Sequence, residues 1–312
     1  PTGLEVSRIG LGLAALGRPA YINVGHAADL AGQTDVESLE RVTHNVLDAA
    51  YAGGVRYFDA ARSYGQAEAF LADWLRARGL GPTDVTVGSK WGYTYTGEWR
   101  LDAPVNEVKE LSLPNLRRQW AESSELLGRD LRLYQVHSAT LASGVLDDRG
   151  VIDQLRRLRA GGVAIGLTVT GPEQGETIEK ALEVGIFDCV QGTWNLLERS
   201  AGPALAAAHA AGAGVIVKEA LANGRLAARG DVKAVAEVAR LAGATPDALA
   251  LAVVLAQPWV DVVLSGAAAV GEIESNLAAL SVDVSPEVVQ RLDGIQEDRA
   301  TYWRKRATLP WN

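Results

Sequence analysis

An acid, a phenol, an amine and an imidazole stand at comparable places along this chain of 312 residues. Asp59 closes an apolar run, Val55 to Phe58, and Tyr64 follows shortly after it. Lys90 closes the run Thr86 to Ser89, and His137 closes the run Leu131 to Val136. A free phenol titrates near 10, and a nearby ammonium favours phenolate and lowers that value. A carboxylate beside the ammonium holds it in place and keeps it charged. An imidazole on the other side can donate a hydrogen bond to a substrate oxygen. Together these groups suit the protonation of a carbonyl oxygen as negative charge develops on it, which is general acid catalysis. The carbon of such a carbonyl must receive hydride, which no side chain supplies and a nicotinamide does. Singly, each residue has a plainer reading: a turn cap, a packing ring, a solvated amine, a core histidine. At matching ends of successive strands, the four read as one active site.

The elements that must hold them repeat as a unit of amphipathic helix, glycine and short apolar strand. Leu39, Val42, Val46, Leu47 and Ala50 share one helical face, and Gly53-Gly54 ends that helix before Val55. Phe70, Leu71, Trp74 and Leu75 lead through Gly79 to Val85, and Leu116, Trp120 and Leu127 lead through Gly128 to Leu131. Later units give strands at Val163 to Val169, Asp188 to Gln191, Gly214 to Val217 and Val260 to Leu264. Glycine after a helix suits the left-handed cap position. With Ile9 to Leu13 the strands number eight, and strands alternating with helices imply right-handed parallel crossovers. This pattern favours a single α/β domain over residues 1–312, a closed (β/α)8 barrel of the TIM type. A doubly wound open sheet is the alternative, but the first turn has no Gly-x-Gly-x-x-Gly leading into a helix. Residues 2–8 read as a short N-terminal hairpin. Two long connections, Trp91 to Leu113 and Glu219 to Ala244, follow strands and belong to the C-terminal face; the second reads as carrying an extra helix around Val232 to Leu241.

Composition narrows the class. The formal net charge is -8 without a block of basic residues, so neither nucleic acid nor an anionic membrane is an expected partner. No apolar run reaches the roughly 18 residues of a spanning helix, and a cytoplasmic location is expected. The single cysteine, Cys189, lies in an apolar run and reads as a small core residue. The histidines, His26, His44, His137 and His209, form no close pair, so no metal site is expected.

The segments Phe58-Asp59-Ala60-Ala61-Arg62-Ser63-Tyr64-Gly65, Ser89-Lys90, Val136-His137-Ser138, Gln191 with Asn195-Leu196-Leu197, and Ser265-Gly266-Ala267 ahead of Asn276-Leu277-Ala278-Ala279-Leu280 resemble the aldo-keto reductase family over nearly the whole chain. The resemblance implies a (β/α)8 barrel that uses NADP or NAD without a Rossmann domain. It also implies a catalytic set of Asp59, Tyr64, Lys90 and His137, with Tyr64 as general acid. Thr168 and Gln191 would hold the nicotinamide carboxamide, and the segment from Lys218 through Leu221 to Leu226 would cover the pyrophosphate. Ser265, Gly266, Ala267, Glu272 and Asn276 would hold the adenosine end. A Gly-containing loop opening a helix there is sound chemistry, because helix N-termini attract phosphate.

The chain departs from the family pattern in three places. Members that prefer NADP carry basic residues near positions 269 and 272, where this chain has Ala269 and Glu272. A carboxylate repels a 2′-phosphate and accepts a hydrogen bond from a ribose hydroxyl, so dual or NAD-leaning use is the expectation against a family habit of NADP. Thr168-Val169 stands where many members have Ser-Asn, and Lys218 where many place an aromatic ring. Trp91 and Tyr93 are candidate substrate contacts. With Tyr95, Trp99, Trp303 and Trp311 they suggest an aromatic cleft for a sugar or a small flat carbonyl compound. Two other readings compete: a cofactor-binding redox-sensing subunit with little turnover, and a barrel isomerase or lyase without nicotinamide.

Overall fold

The computed structural model describes residues 2–26, 30 and 32–311. Eight parallel strands close into a barrel: β1 (Ile9–Gly12), β2 (Tyr57–Asp59), β3 (Thr86–Trp91), β6 (Leu131–Ala139), β7 (Ala164–Val169), β8 (Cys189–Thr193), β9 (Gly214–Lys218) and β10 (Val262–Ser265). Each pairs with its neighbours in sequence order, and β1 closes the ring against both β10 and β2. The (β/α)8 reading therefore holds. Helices α1 (Val36–Ala52), α2 (Ala67–Arg78), α3 (Leu113–Leu127), α4 (Arg149–Ala160), α5 (Gln174–Val184) and α6 (Gly202–Ala210) follow successive barrel strands. Two helices, α7 (Lys233–Leu241) and α8 (Pro246–Leu255), lie between β9 and β10; α7 is the expected extra helix. After β10 come α9 (Val270–Leu277), α10 (Pro286–Leu292) and α11 (Arg299–Ala307).

The local chemistry matches these boundaries. Asp35 caps α1 by accepting from Ser38 N at 2.9 Å, and Leu39, Val46, Leu47 and Ala50 bury its inner face. Where two glycines end a helix, the second one takes the left-handed backbone: Gly54 at φ 93° and Gly162 at φ 94°. At the N-terminal end of the barrel Tyr57, Leu133, Cys189, Ile216 and Val262 form an inner apolar layer. Cys189 is a buried member of it, with its thiol pushed up by burial, as expected of a core residue.

The predicted N-terminal hairpin does not form. Residues 2–7 have no strand pairing and lie across the barrel floor, where Glu5 O accepts from Thr86 Oγ1 at 2.7 Å and Leu4 packs on the apolar layer. Only Leu4 finds apolar cover, while Val6 stays exposed, so the segment has little to gain from a two-stranded ribbon. The antiparallel pair lies instead in the connection after β3: β4 (Tyr93–Tyr95) against β5 (Glu107–Lys109).

Candidate active site

Parallel register sets the candidate catalytic groups side by side. Asp59 ends β2 opposite Gly88, and Lys90 lies farther along β3 opposite Gln135. Both side chains are buried at 2% and 1% exposure, and Lys90 Nζ meets Asp59 Oδ2 at 2.5 Å. Asp59 Oδ1 accepts from Tyr57 Oη at 2.9 Å and Gln135 Nε2 at 3.0 Å. Gly88 makes room for this: a Cβ there would stand 2.6 Å from Tyr57 Oη. Lys90 Nζ also donates to Ala60 O at 3.0 Å and reaches Tyr64 Oη at 3.4 Å.

Tyr64 is aimed by its loop. Arg62 N donates to Lys90 O and Tyr64 N to Ala61 O, so the loop folds back over β3. The loop after β1 presses against it: Gln66 N donates to Gly17 O at 2.7 Å, and a Cβ on Gly17 would come within 2.0 Å of Tyr64 O. No side chain fits there.

His137 lies within β6, where the pairing with β7 shifts between Val136 and Ala139. Ser138 takes a left-handed φ of 53° in this bulge. The N–H freed from the ladder donates to Thr168 Oγ1 at 2.7 Å, and Ser138 O accepts from Lys109 Nζ at 2.7 Å. Bulges re-aim side chains, and here the imidazole ring meets the Tyr64 ring edge-on at 5.5 Å and the Tyr93 ring at 4.9 Å.

The charge states differ from the simple expectation for one member. Burial and then the Asp59 and Glu107 carboxylates push the Tyr64 phenol well up. The Asp59 carboxylate offsets the pull of the Lys90 ammonium beside it on the phenol. Burial, with Lys90, Lys218, Arg18 and Lys109, pushes His137 well below its ordinary range, so the imidazole is neutral at neutral pH.

Tyr64 and His137 open onto a cleft of about 520 Å³ at the C-terminal end of the barrel. Thr168, Gln191, Lys218, Leu221, Ser265, Gly266, Ala267, Glu272 and Asn276 all line it, and so does Tyr93. Lys90 does not; it lies behind Asp59 and Tyr64. At the far end Asn276 Nδ2 donates to Ser265 Oγ at 2.8 Å, and the first turn of α9 faces the cleft. A Cβ at Gly266 or Gly271 would meet nothing within 4 Å, so the backbone there is open to close approach. Residues from β7, β8, β9 and β10 thus line a trough of a size that suits a dinucleotide. Glu272 is engaged: Oε2 accepts from Ala268 N at 2.8 Å and Oε1 lies 3.4 Å from Arg229 Nη2.

The match to the aldo/keto reductase family model runs over residues 8–297. This chain belongs to that family. Membership brings the general chemistry of these enzymes, an NAD(P)-dependent oxidoreduction between carbonyl and alcohol. The chain is 28% identical over 230 residues to pyridoxal 4-dehydrogenase of Microbacterium luteolum, a match that covers 64% of this chain and 62% of that enzyme. It is 26% identical to the uncharacterized oxidoreductase YrpG of Bacillus subtilis (strain 168), over 94% of this chain and 93% of that one. The solved glycerol dehydrogenase AKR11B4 of Gluconobacter oxydans superposes with a TM-score of 0.73 at 20% identity, over 93% and 91% of the two chains, and shows the shared fold.

Some aromatic expectations fail on burial. Trp91 is fully buried in the main core and does not line the cleft, because it follows inward-facing Lys90 and points out of the barrel. Trp303 is buried against α7 and α8. Trp99 donates to Thr34 O, and Tyr95 Oη accepts from Trp99 N, both away from the cleft lining. Tyr93 and Trp311 remain on the cleft, joined by Tyr21. Sequence reasoning missed Gln135, although it shares a strand face with His137 by simple alternation. It also missed Arg18, Glu107 and the Glu219–Arg306 pair, whose partners lie far apart in sequence.

Proposed function

We propose that the protein interconverts an aldehyde or ketone and its alcohol with NADP or NAD, and that Tyr64 is the general acid and base. The carrying observation is the Asp59–Lys90 pair 3.4 Å from the Tyr64 phenol at the inner end of the cleft. When bound, the nicotinamide supplies or takes up hydride. Ser265, Gly266, Ala267 and Asn276 would hold the adenosine end, Lys218 and Leu221 the pyrophosphate, and Gln191 with Thr168 the nicotinamide end. Tyr64 keeps its proton across the neutral range and gives it to the carbonyl oxygen. Lys90 Nζ, within reach of the phenol oxygen, stabilises the negative charge left there, while Asp59 holds the ammonium and keeps it from repelling a proton already in place. His137 is neutral and carries one ring N–H, which donates to the same substrate oxygen and orients it. Thr168 supports this second donor through the bulge at Ser138.

For the cofactor we propose dual use leaning to NAD. Glu272 opposes a 2′-phosphate, but its charge is tempered by the Ala268 N–H and by Arg229. Titration of the protein with NADH and NADPH, followed by tryptophan fluorescence, tests this. Tighter NADH binding that reverses in Glu272→Arg is expected; tight NADPH and weak NADH binding in the unaltered protein would overturn the lean. For the substrate, the rings of Tyr21, Tyr64, Tyr93 and Trp311 suit sugars and small flat carbonyl compounds. The likeness to a pyridoxal dehydrogenase adds heteroaromatic aldehydes to the first assays.

A further inference from the structure

Arg18 occupies the substrate end of this cleft in an unusual state. It is 1% exposed and lies beside the reacting phenol, with its guanidinium carbon 5.4 Å from the Tyr64 ring centre, 5.5 Å from that of Tyr21 and 4.8 Å from that of Trp311. One nitrogen, Nη1, makes both of its hydrogen bonds: to Ser63 O at 2.8 Å and to Glu107 Oε1 at 2.7 Å. Buried Nε has no partner, and Nη2 makes no hydrogen bond among the described residues. Of the three N–H groups left over, the one on Nε and the adjacent one on Nη2 form the edge of a guanidinium that binds a carboxylate or phosphate by two parallel hydrogen bonds. Leaving the buried Nε donor unmet is costly, and a substrate group that meets it recovers that cost.

The surrounding charge has the same sense. Lys218, Arg306 and Lys109 stand around the site with Arg18. The facing carboxylates are already committed: Glu107 to Arg18, and Glu219 to Arg306 by two-oxygen contact and to Lys218 at 3.5 Å. Asp59 and Lys90 cancel. The reacting end is thus locally positive in a chain of net charge -8.

We propose that the Nε–Nη2 edge of Arg18 docks an oxyanion of the substrate, so that the natural substrate is a small carbonyl acid or the matching hydroxy acid. A neutral hydroxyl offers one oxygen to this edge; a carboxylate offers two with complementary charge. Because Arg18 stacks against Tyr64, the acid group lies only a few bonds from the reacting carbonyl carbon. This deepens the proposed oxidoreductase function and rests on it for the chemistry, though not for the binding.

The test compares charged substrates with neutral analogues. The semialdehyde of succinate is assayed against its methyl ester and amide, and glycolaldehyde phosphate against glycolaldehyde, with each nicotinamide cofactor. A preference of about tenfold or more in kcat/KM for the charged member of a pair is expected, in the manner of sites built to hydrogen-bond a substrate group; which pair shows it distinguishes carboxylate from phosphate. Arg18→Met should bring the ratio towards one, and Glu107→Gln, which removes the competing anion, should raise it. A ratio at or below one for both pairs, or one unchanged in Arg18→Met, overturns the inference. Calorimetric titration of the unaltered protein with succinate and with succinamide gives a reading that needs neither turnover nor a folded variant. Succinate binding without turnover of any aldehyde keeps this site and removes the reductase reading; equal or absent binding of the two, beside turnover of neutral aldehydes, removes this site and keeps the reductase.

Discussion

Burial sets the protonation state of Tyr64, beside the Asp59–Lys90 pair at 2.5 Å. An isolated ammonium beside a phenol would draw its proton off. Here burial dominates, and the Asp59 and Glu107 carboxylates push the phenol further up. The sign of the pH dependence then differs between the two directions. Reduction needs the protonated phenol, which persists until the pH reaches the raised value. Oxidation of the alcohol needs the phenol to have lost its proton, so its rate should climb as pH rises. We expect a flat kcat/KM for reduction between about pH 6 and 8 and a rising one for oxidation, read from initial rates in both directions. Neutral His137 does not disturb this window, because burial and its cationic neighbours keep it from charging there. The chemical types of these residues were legible in the sequence. The shift of the phenol was not, because it depends on burial and on a carboxylate, Glu107, brought in from a distant part of the chain.

At the level of elements, the bulge at His137 and Ser138 carries the clearest prediction. Thr168 Oγ1 accepts the Ser138 N–H that the β6–β7 ladder gives up. Thr168→Val keeps the side-chain size and removes the acceptor, leaving a half-buried donor unmet, at the lower end of the cost of about 1–3 kcal/mol for a buried one. The imidazole loses its aim, so kcat should fall by roughly tenfold beyond any loss of cofactor affinity at the nicotinamide end. Steady-state kinetics beside a cofactor titration separate the two. The strand that holds His137 could be read from its apolar run, because periodicity is a local signal. The bulge could not, because it arises from a register shift against a strand some 30 residues away. The N-terminal hairpin failed for the converse reason: its alternation is real, but tertiary cover reaches only Leu4.

Across the whole molecule, distant parts of the chain converge over the cleft. Arg18 from the loop after β1 pairs with Glu107 of β5, and Glu219 at the end of β9 pairs with Arg306 of α11. Glu219 adopts a left-handed φ of 54°, and Arg306 holds its carboxyl down at about 2 against the opposing effect of burial. Arg306→Ala takes the two-oxygen partner from this half-buried carboxylate and leaves Lys218 beside it. A hydrogen bond to a charged group contributes about 1.5–3 kcal/mol, so denaturant unfolding should show a loss of that order, and a loss confined to a few tenths would refute a stabilising role for the pair. The repeat of helix, glycine and strand made the barrel legible from sequence, since each unit announces itself locally. The convergence over the mouth was not legible, because long loops bear no periodic pattern.

The account as a whole stands on Tyr64 as the proton donor of a nicotinamide-dependent reaction. Its most direct test is the consumption of NADH and NADPH with a panel of aldehydes by the unaltered protein and by Tyr64→Phe, each alongside a cofactor-binding titration. We predict that both proteins bind cofactor equally and that the variant turns over about 10²–10⁴ times more slowly. Failure of the unaltered protein to bind either cofactor, or undiminished turnover in Tyr64→Phe, would contradict it.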